Sequence, residues 1–186
     1  MDNTMQSFQG QLLLDGGTLN GSFFSRSVVL ICQHDKEGAF GLILNRCMDH
    51  SIQELTSEIV PTTLEDTLVF VGGPVQPGAL SFLISDQLNL GEMIIPDVSI
   101  GHSFDQLTNF CKTNRITQNI RLFSGYSGWN PGQLDDEIKQ GAWMTHPADR
   151  NLIFDIDAKK LWRHIMYQKG WKKRMLADSP EDLASN

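Results

Sequence analysis

Two separated segments of this 186-residue chain gather the side chains that could do chemistry. The first runs from Ser25, Arg26 and Ser27 to Asn45 and Arg46, with Cys32 and His34 inside it and Cys47 and His50 just after; the second is Gly125-Tyr126-Ser127-Gly128-Trp129, followed by Gln133. Two guanidiniums and a carboxamide brought together would clasp a carboxylate or phosphate, because arginine presents a rigid fork of donors that matches those groups. The structural alternative is that Arg26 and Arg46 pair with Asp49 or Glu54 and order the strand ends.

Cys32-x-His34 and Cys47-x-x-His50 are ligand types that zinc accepts. Their spacing fits no finger, however, and Cys32 ends the apolar run Val28 to Cys32, where a free cysteine behaves as a small hydrophobe. No metal is expected, and His34 reads as a hydrogen-bonded structural residue or a ligand contact. The glycine segment sits between a strand and a helix, the place of nucleophile elbows and phosphate loops. Trp129 stands where the elbow needs its last glycine, and Gly132-Gln133-Leu134 supplies no phosphate-loop lysine. Asp135, Asp136 and Glu137 already complement the helix dipole and repel a phosphate. The reading therefore assigns no catalytic residue and no cofactor. Tyr126 and Trp129 remain as aromatics packed under a loop or as the rim of a pocket.

Short apolar runs bounded by turn residues must position these groups. Strands are expected at Gln11 to Leu14, Val28 to Cys32, Phe40 to Leu44, Leu68 to Val71, Leu80 to Ile84, Arg121 to Phe123, Ala142 to Thr145 and Leu152 to Phe154. Consecutive apolar positions imply cover on both faces. Asp35-Lys36-Glu37-Gly38 predicts a turn between antiparallel strands, which brings Arg26 beside Asn45 and Arg46. Helices are expected after Ser51 with Glu54, after Ser103 with Gln106, from Asn130-Pro131 to Gly141, and from Asp157 to Gly170 with Leu161, Trp162, Ile165 and Met166 on one face. Interspersed strands and helices define a mixed α+β class.

One domain accounts for the whole length, with a core over about 10–170 and a basic, flexible tail over 171–186. Three unframed cysteines and an N-terminus without an apolar leader point to the cytoplasm, and no apolar run approaches the roughly 20 residues that span a bilayer. The net charge of −7 opposes nucleic acid and anionic lipid. Against that average, Lys159, Lys160, Arg163, Lys169, Lys172, Lys173 and Arg174 form a stretch without a carboxylate.

The segments Gly10-Gln11-Leu12-Leu13, Arg26-Ser27-Val28-Val29, His34, Glu37 to Arg46, Gly72-Gly73-Pro74-Val75, Gly125 to Trp129 with Gly132-Gln133-Leu134, and Trp143 through Pro147-Ala148 to Phe154-Asp155 together resemble the AlgH/YqgE family of bacterial proteins. The resemblance runs from about Gly10 to Gly170. It implies a single compact domain with a strongly bent, partly barrel-like sheet surrounded by helices. The family often carries alanine where Ser127 stands and proline where Cys47 stands, which weakens both as reactive groups. The expectation is a noncatalytic protein that binds a small molecule or protein partner, with a regulatory role, through one surface joining Arg26, Ser27, His34, Asn45 and Arg46 to Tyr126, Trp129 and Gln133. A transcriptional regulator contacting nucleic acid through the basic segment, and a hydrolase using the Gly125–Trp129 loop, are the alternatives.

Overall fold

Leu12 to Leu14, Val28 to Ile31 and Leu42 to Leu44 are fully buried without alternation, so the strands that carry them are covered on both faces. The computed structural model describes residues 6–56, 59–85, 90–113, 120–170 and 178–179. In chain order its elements are β1 (Gln11–Asp15), β2 (Val28–Asp35), β3 (Gly38–Ile43), β4 (Cys47–Ser51), α1 (Ile52–Leu55), β5 (Leu68–Val71), β6 (Val75–Ile84), β7 (Glu92–Ile95), β8 (Val98–Gly101), α2 (Phe104–Thr113), β9 (Ile120–Trp129), α3 (Gln133–Lys139), β10 (Trp143–Pro147), α4 (Arg150–Phe154) and α5 (Ala158–Gln168).

The strands form one strongly curled half-barrel sheet in the order β10-β1-β2-β3-β9-β6-β8-β7, antiparallel throughout, with β5 added parallel to β9 and β4 antiparallel to β5. Leu12 pairs with Leu30 and Leu30 with Leu42, placing these leucines on the face that packs against α4, α5 and the β7–β8 hairpin. Leu13, Val29 and Ile43 point the other way, toward Trp129, Leu134 of α3 and Trp143. A third cluster buries Leu107 and Cys111 of α2 with Ile52 against Val69, Phe82 and Leu122. The α+β class, the two-sided cover and the β2–β3 hairpin closed by Asp35 opposite Gly38 are as the sequence predicts.

The corrections have identifiable causes. Leu152 to Phe154 is helix α4, because the Asp149 carboxylate accepts the Leu152 amide at 2.8 Å and starts a helical turn in a run too short to show its period. Strands β4, β7 and β8 escape the sequence because they are short and carry polar residues or glycine. Helix α3 begins at Gln133 after Gly132 in a left-handed conformation (φ 74°), two residues later than Asn130-Pro131 suggests. Gln133 Oε1 instead accepts the Asn130 amide at 3.1 Å.

The largest difference concerns Gly125 to Trp129, which is the second half of β9 rather than a loop. Val69 to Val71 of β5 run beside Leu122 to Ser124, whereas Ala39 to Gly41 of β3 run beside Ser127 to Trp129. The change of neighbour falls at Gly125, whose φ of 70° bends the strand. There the Gly72-Gly73 turn enters so closely that a Cβ on Gly72 would stand 2.2 Å from the Gly125 carbonyl oxygen. These glycines let two backbones touch where one strand exchanges partners.

Candidate functional site

The hairpin end is organised by Asp15, a fully buried carboxylate at the close of β1. Its Oδ1 accepts the amides of Gly17 (2.8 Å) and Leu19 (3.1 Å), and its Oδ2 accepts the amide of Arg26 (2.8 Å). Arg26 has a φ of 51°, a left-handed conformation that costs a non-glycine residue about 1–3 kcal/mol and persists only where its surroundings impose it. Asn45 supplies the second restraint, donating to the Arg26 carbonyl at 2.9 Å while accepting the Val28 amide at 2.8 Å. The Arg26 guanidinium lies 5.2 Å from the centre of the Trp162 ring, and the Trp162 indole donates to the Asp15 carbonyl at 3.1 Å. Strand end, loop and helix α5 therefore hold one arginine in one pose.

Arg46 donates to the Ser25 carbonyl at 3.1 Å and covers the Phe23 ring at 5.0 Å. Partial burial lowers its pKa from the usual arginine value. Glu54 does not pair with it; that carboxylate accepts the Ser51 amide and faces His50. Ser25, Arg26, Asn45 and Arg46 together with Lys159, Trp162 and Arg163 of α5 line a cavity of about 570 Å³. Four of these side chains are cationic and none is a carboxylate. Among the described residues Lys159 has no hydrogen-bond or ion-pair partner. Such a chamber can hold an anion by charge and by directed N–H donors.

Arg26, Asn45 and Arg46 thus come together as expected, but Tyr126, Trp129 and Gln133 are not among the residues that line this cavity. Tyr126 packs on Phe40, with ring centres 5.0 Å apart, and Phe40 in turn meets His102 edge-on. Trp129 and Trp143 each donate an indole N–H at 2.8 Å to the same Glu137 Oε2, and Gln133 donates to Glu137 Oε1 at 2.8 Å. Glu137→Gln, which keeps shape but weakens charge-assisted acceptance, is expected to cost about 1–2 kcal/mol in a denaturant titration. A change below the error of that titration would mean the carboxylate is not what orders the two indoles.

Ser27 and His34 are likewise not among the residues that line the cavity. Ser27 is fully buried and its hydroxyl donates to the Phe24 carbonyl at 2.8 Å. His34 Nδ1 accepts the Phe8 amide at 3.0 Å, which leaves Nε2 to donate to Asp135 at 3.2 Å. Cys32 is buried in the core, and burial drives its thiol far above the usual pKa. No three His, Cys, Asp or Glu side chains stand together to hold a metal among the described residues.

Sequence reasoning missed Asp15, Arg121 and the role of α5. Asp15 ends an apolar strand and precedes Gly16-Gly17, a loop signal that does not reveal a triple acceptor. Arg121 is a buried cation inside β9 that donates to the carbonyls of Leu44 (3.0 Å) and Ile156 (3.3 Å), the residue before Asn45 and the residue two before the start of α5. Lys159 and Arg163 read as parts of a separate basic stretch, yet the fold sets them against the hairpin. Lys172, Lys173 and Arg174 lie outside the described residues.

Residues 12–174 match the family model described as AlgH-like. A UPF0301 protein of Chlorobium limicola is 38% identical over 175 residues, covering 92% of each chain, and one of Chlamydia muridarum is 34% identical over 96% of this chain and 95% of its own. The solution structure of the AlgH protein from Pseudomonas aeruginosa superposes with a TM-score of 0.72 at 22% identity, covering 95% of this chain and 98% of that one. The crystal structure of a Corynebacterium diphtheriae protein gives 0.74 at 20% identity over 94% of both. At such identities the two structures establish a shared fold.

Proposed function

This chain belongs to the AlgH-like family, and from the chemistry of its cavity we propose that it is a noncatalytic binding protein with a regulatory role, whose ligand is a small anion bearing carboxylate or phosphate groups. The observation that carries the reading is the cavity lined by four cationic side chains, Arg26, Arg46, Lys159 and Arg163, with no carboxylate among its described lining residues; the Asp178 carboxylate, not itself one of them, meets Arg163. An arginine fixed in a left-handed backbone conformation by the buried Asp15 and the half-buried Asn45 supports it, since such strain is concentrated at ligand clamps. The hydrolase alternative has little support. Ser127 is fully buried, and its hydroxyl donates to the Gly72 carbonyl at 3.2 Å, beside the strand crossing.

Inorganic pyrophosphate and citrate, titrated calorimetrically in separate arms at low salt, test the proposal. Binding by at least one of them is expected, and Arg46→Ala should weaken it about 10- to 100-fold, the effect of losing charge-assisted hydrogen bonds. Arg46→Lys should recover part of the loss, because charge remains while the fork does not. Equal affinity in parent and Arg46→Ala, or binding of neither anion, would remove the reading. Duplex DNA provides the competing arm. With a net charge of −7, binding should vanish near physiological salt, and tight binding that survives there would favour the nucleic-acid regulator.

A further inference from the structure

Asp178 and Ser179, described near the C-terminus, touch two different walls of the cationic cavity. The Asp178 carboxylate accepts from the Arg163 guanidinium and from the Tyr167 hydroxyl on α5. Arg26, on the loop between β1 and β2, donates to the Ser179 main-chain carbonyl at 2.5 Å and to its hydroxyl at 3.2 Å. A side-chain carboxylate followed by a main-chain carbonyl is thus read by two arginines, which is how a peptide is held rather than a lone counter-ion. Arg163 also lines a second hollow of about 550 Å³, with Lys160, His164, Tyr167 and Gln168, and no carboxylate among its lining residues. The sequence Asp178-Ser179-Pro180-Glu181-Asp182 is acidic where these surfaces are basic.

We infer that the cationic face of α5 and the adjoining cavity form one docking seat for an acidic peptide segment, and that the chain's own Asp178–Ser179 is its resident occupant. A tethered occupant competes at a high effective concentration without needing strong contacts of its own. Any ligand that uses Arg26 and Arg163 must displace it, so ligand binding and segment release are reciprocally linked. That competition, though not the docking itself, rests on the anion-binding reading above.

A fluorescent peptide spanning residues 176–183 of the sequence, added to the full chain and to its Asp178→Lys variant, tests the seat by anisotropy. The charge reversal should expel the resident segment and open the seat, so the peptide should bind the variant at least about 10-fold more tightly than the parent. Asp178→Asn should fall between them, and adding Arg163→Ala to the Asp178→Lys chain should abolish the gain. Equal binding to parent and Asp178→Lys, or binding to neither, would overturn the inference. The pyrophosphate titration of Arg46→Ala separates the two proposals, because among the described residues Arg46 makes no hydrogen bond or ion pair with Asp178 or Ser179. If pyrophosphate ignores Arg46 while the peptide behaves as stated, the anion reading fails and the docking seat stands. If pyrophosphate requires Arg46 while the peptide does not discriminate, the converse holds.

Discussion

Asp15→Ala is expected to lower the unfolding free energy by about 3–5 kcal/mol, the largest loss foreseen for a single side chain here. The magnitude follows from accounting for donors. The fully buried carboxylate takes three backbone amides, those of Gly17, Leu19 and Arg26, and alanine replaces none of that acceptance. Each orphaned buried donor costs about 1–3 kcal/mol, reduced where the loop relaxes enough to admit water. Asp15→Asn separates stability from binding. Its one oxygen can still serve Gly17 and Leu19, but its amide then meets the Arg26 N–H, donor against donor. The asparagine chain should therefore keep more stability than the alanine chain in urea, while pyrophosphate affinity falls as far, because Arg26 has lost the contact that imposes its φ of 51°. If Asp15→Ala costs less than about 1 kcal/mol, the carboxylate does not organise the loop.

Much of the scaffold is legible because it obeys local rules. The hairpin at Asp35 to Gly38 declares itself through its turn residues and flanking apolar runs, and the buried stripe Leu161, Trp162, Ile165, Met166 declares α5. Half of the cavity follows from the hairpin alone, since Asn45 must return beside Arg26 once the turn is placed. What does not follow is long-range. The glycines of 125–129 look like a ligand loop because their sequence reports only that a Cβ is excluded. Whether a ligand or another stretch of the chain excludes it depends on Gly72, more than fifty positions away, and here it is the Gly72-Gly73 turn and the start of β6. Likewise Trp129 has the profile of a pocket rim, but Glu137 on the next helix satisfies its indole and draws it into the core with Trp143. The basic residues of α5 carry no mark of which way they face until the helix packs under the sheet.

The same long-range logic makes Arg121 the second residue with a large expected effect. It is 9% exposed, covers the Phe70 ring at 5.0 Å and donates to the carbonyls of Leu44 and Ile156. Leu44 precedes Asn45 on one wall of the cavity, and Ile156 precedes Asp157, the residue at the head of the helix that forms the other. Burial lowers the Arg121 pKa to about 10, against opposing pulls from Asp157, Cys47 and Asp155. Because the folded-state value lies below the unfolded one, folding penalises the charged form. That penalty is fully present below about pH 10 and is relieved as pH rises through the folded pKa toward the ordinary arginine value of 12.5. The side chain is cationic throughout the neutral range. Arg121→Ala should cost about 2–4 kcal/mol through two orphaned carbonyls and a void over Phe70. Arg121→Met should cost less, since it fills the void and removes the desolvated charge while leaving the carbonyls unpaired. Both should weaken pyrophosphate binding, because both remove the tether between Leu44 and Ile156 together with the buried positive charge. The stability difference between parent and Arg121→Met should stay level from pH 6 to 9 in urea titrations. A slope across that window would place the penalised proton on some other group, and an unchanged affinity in both variants would show that the two walls hold their spacing without the arginine.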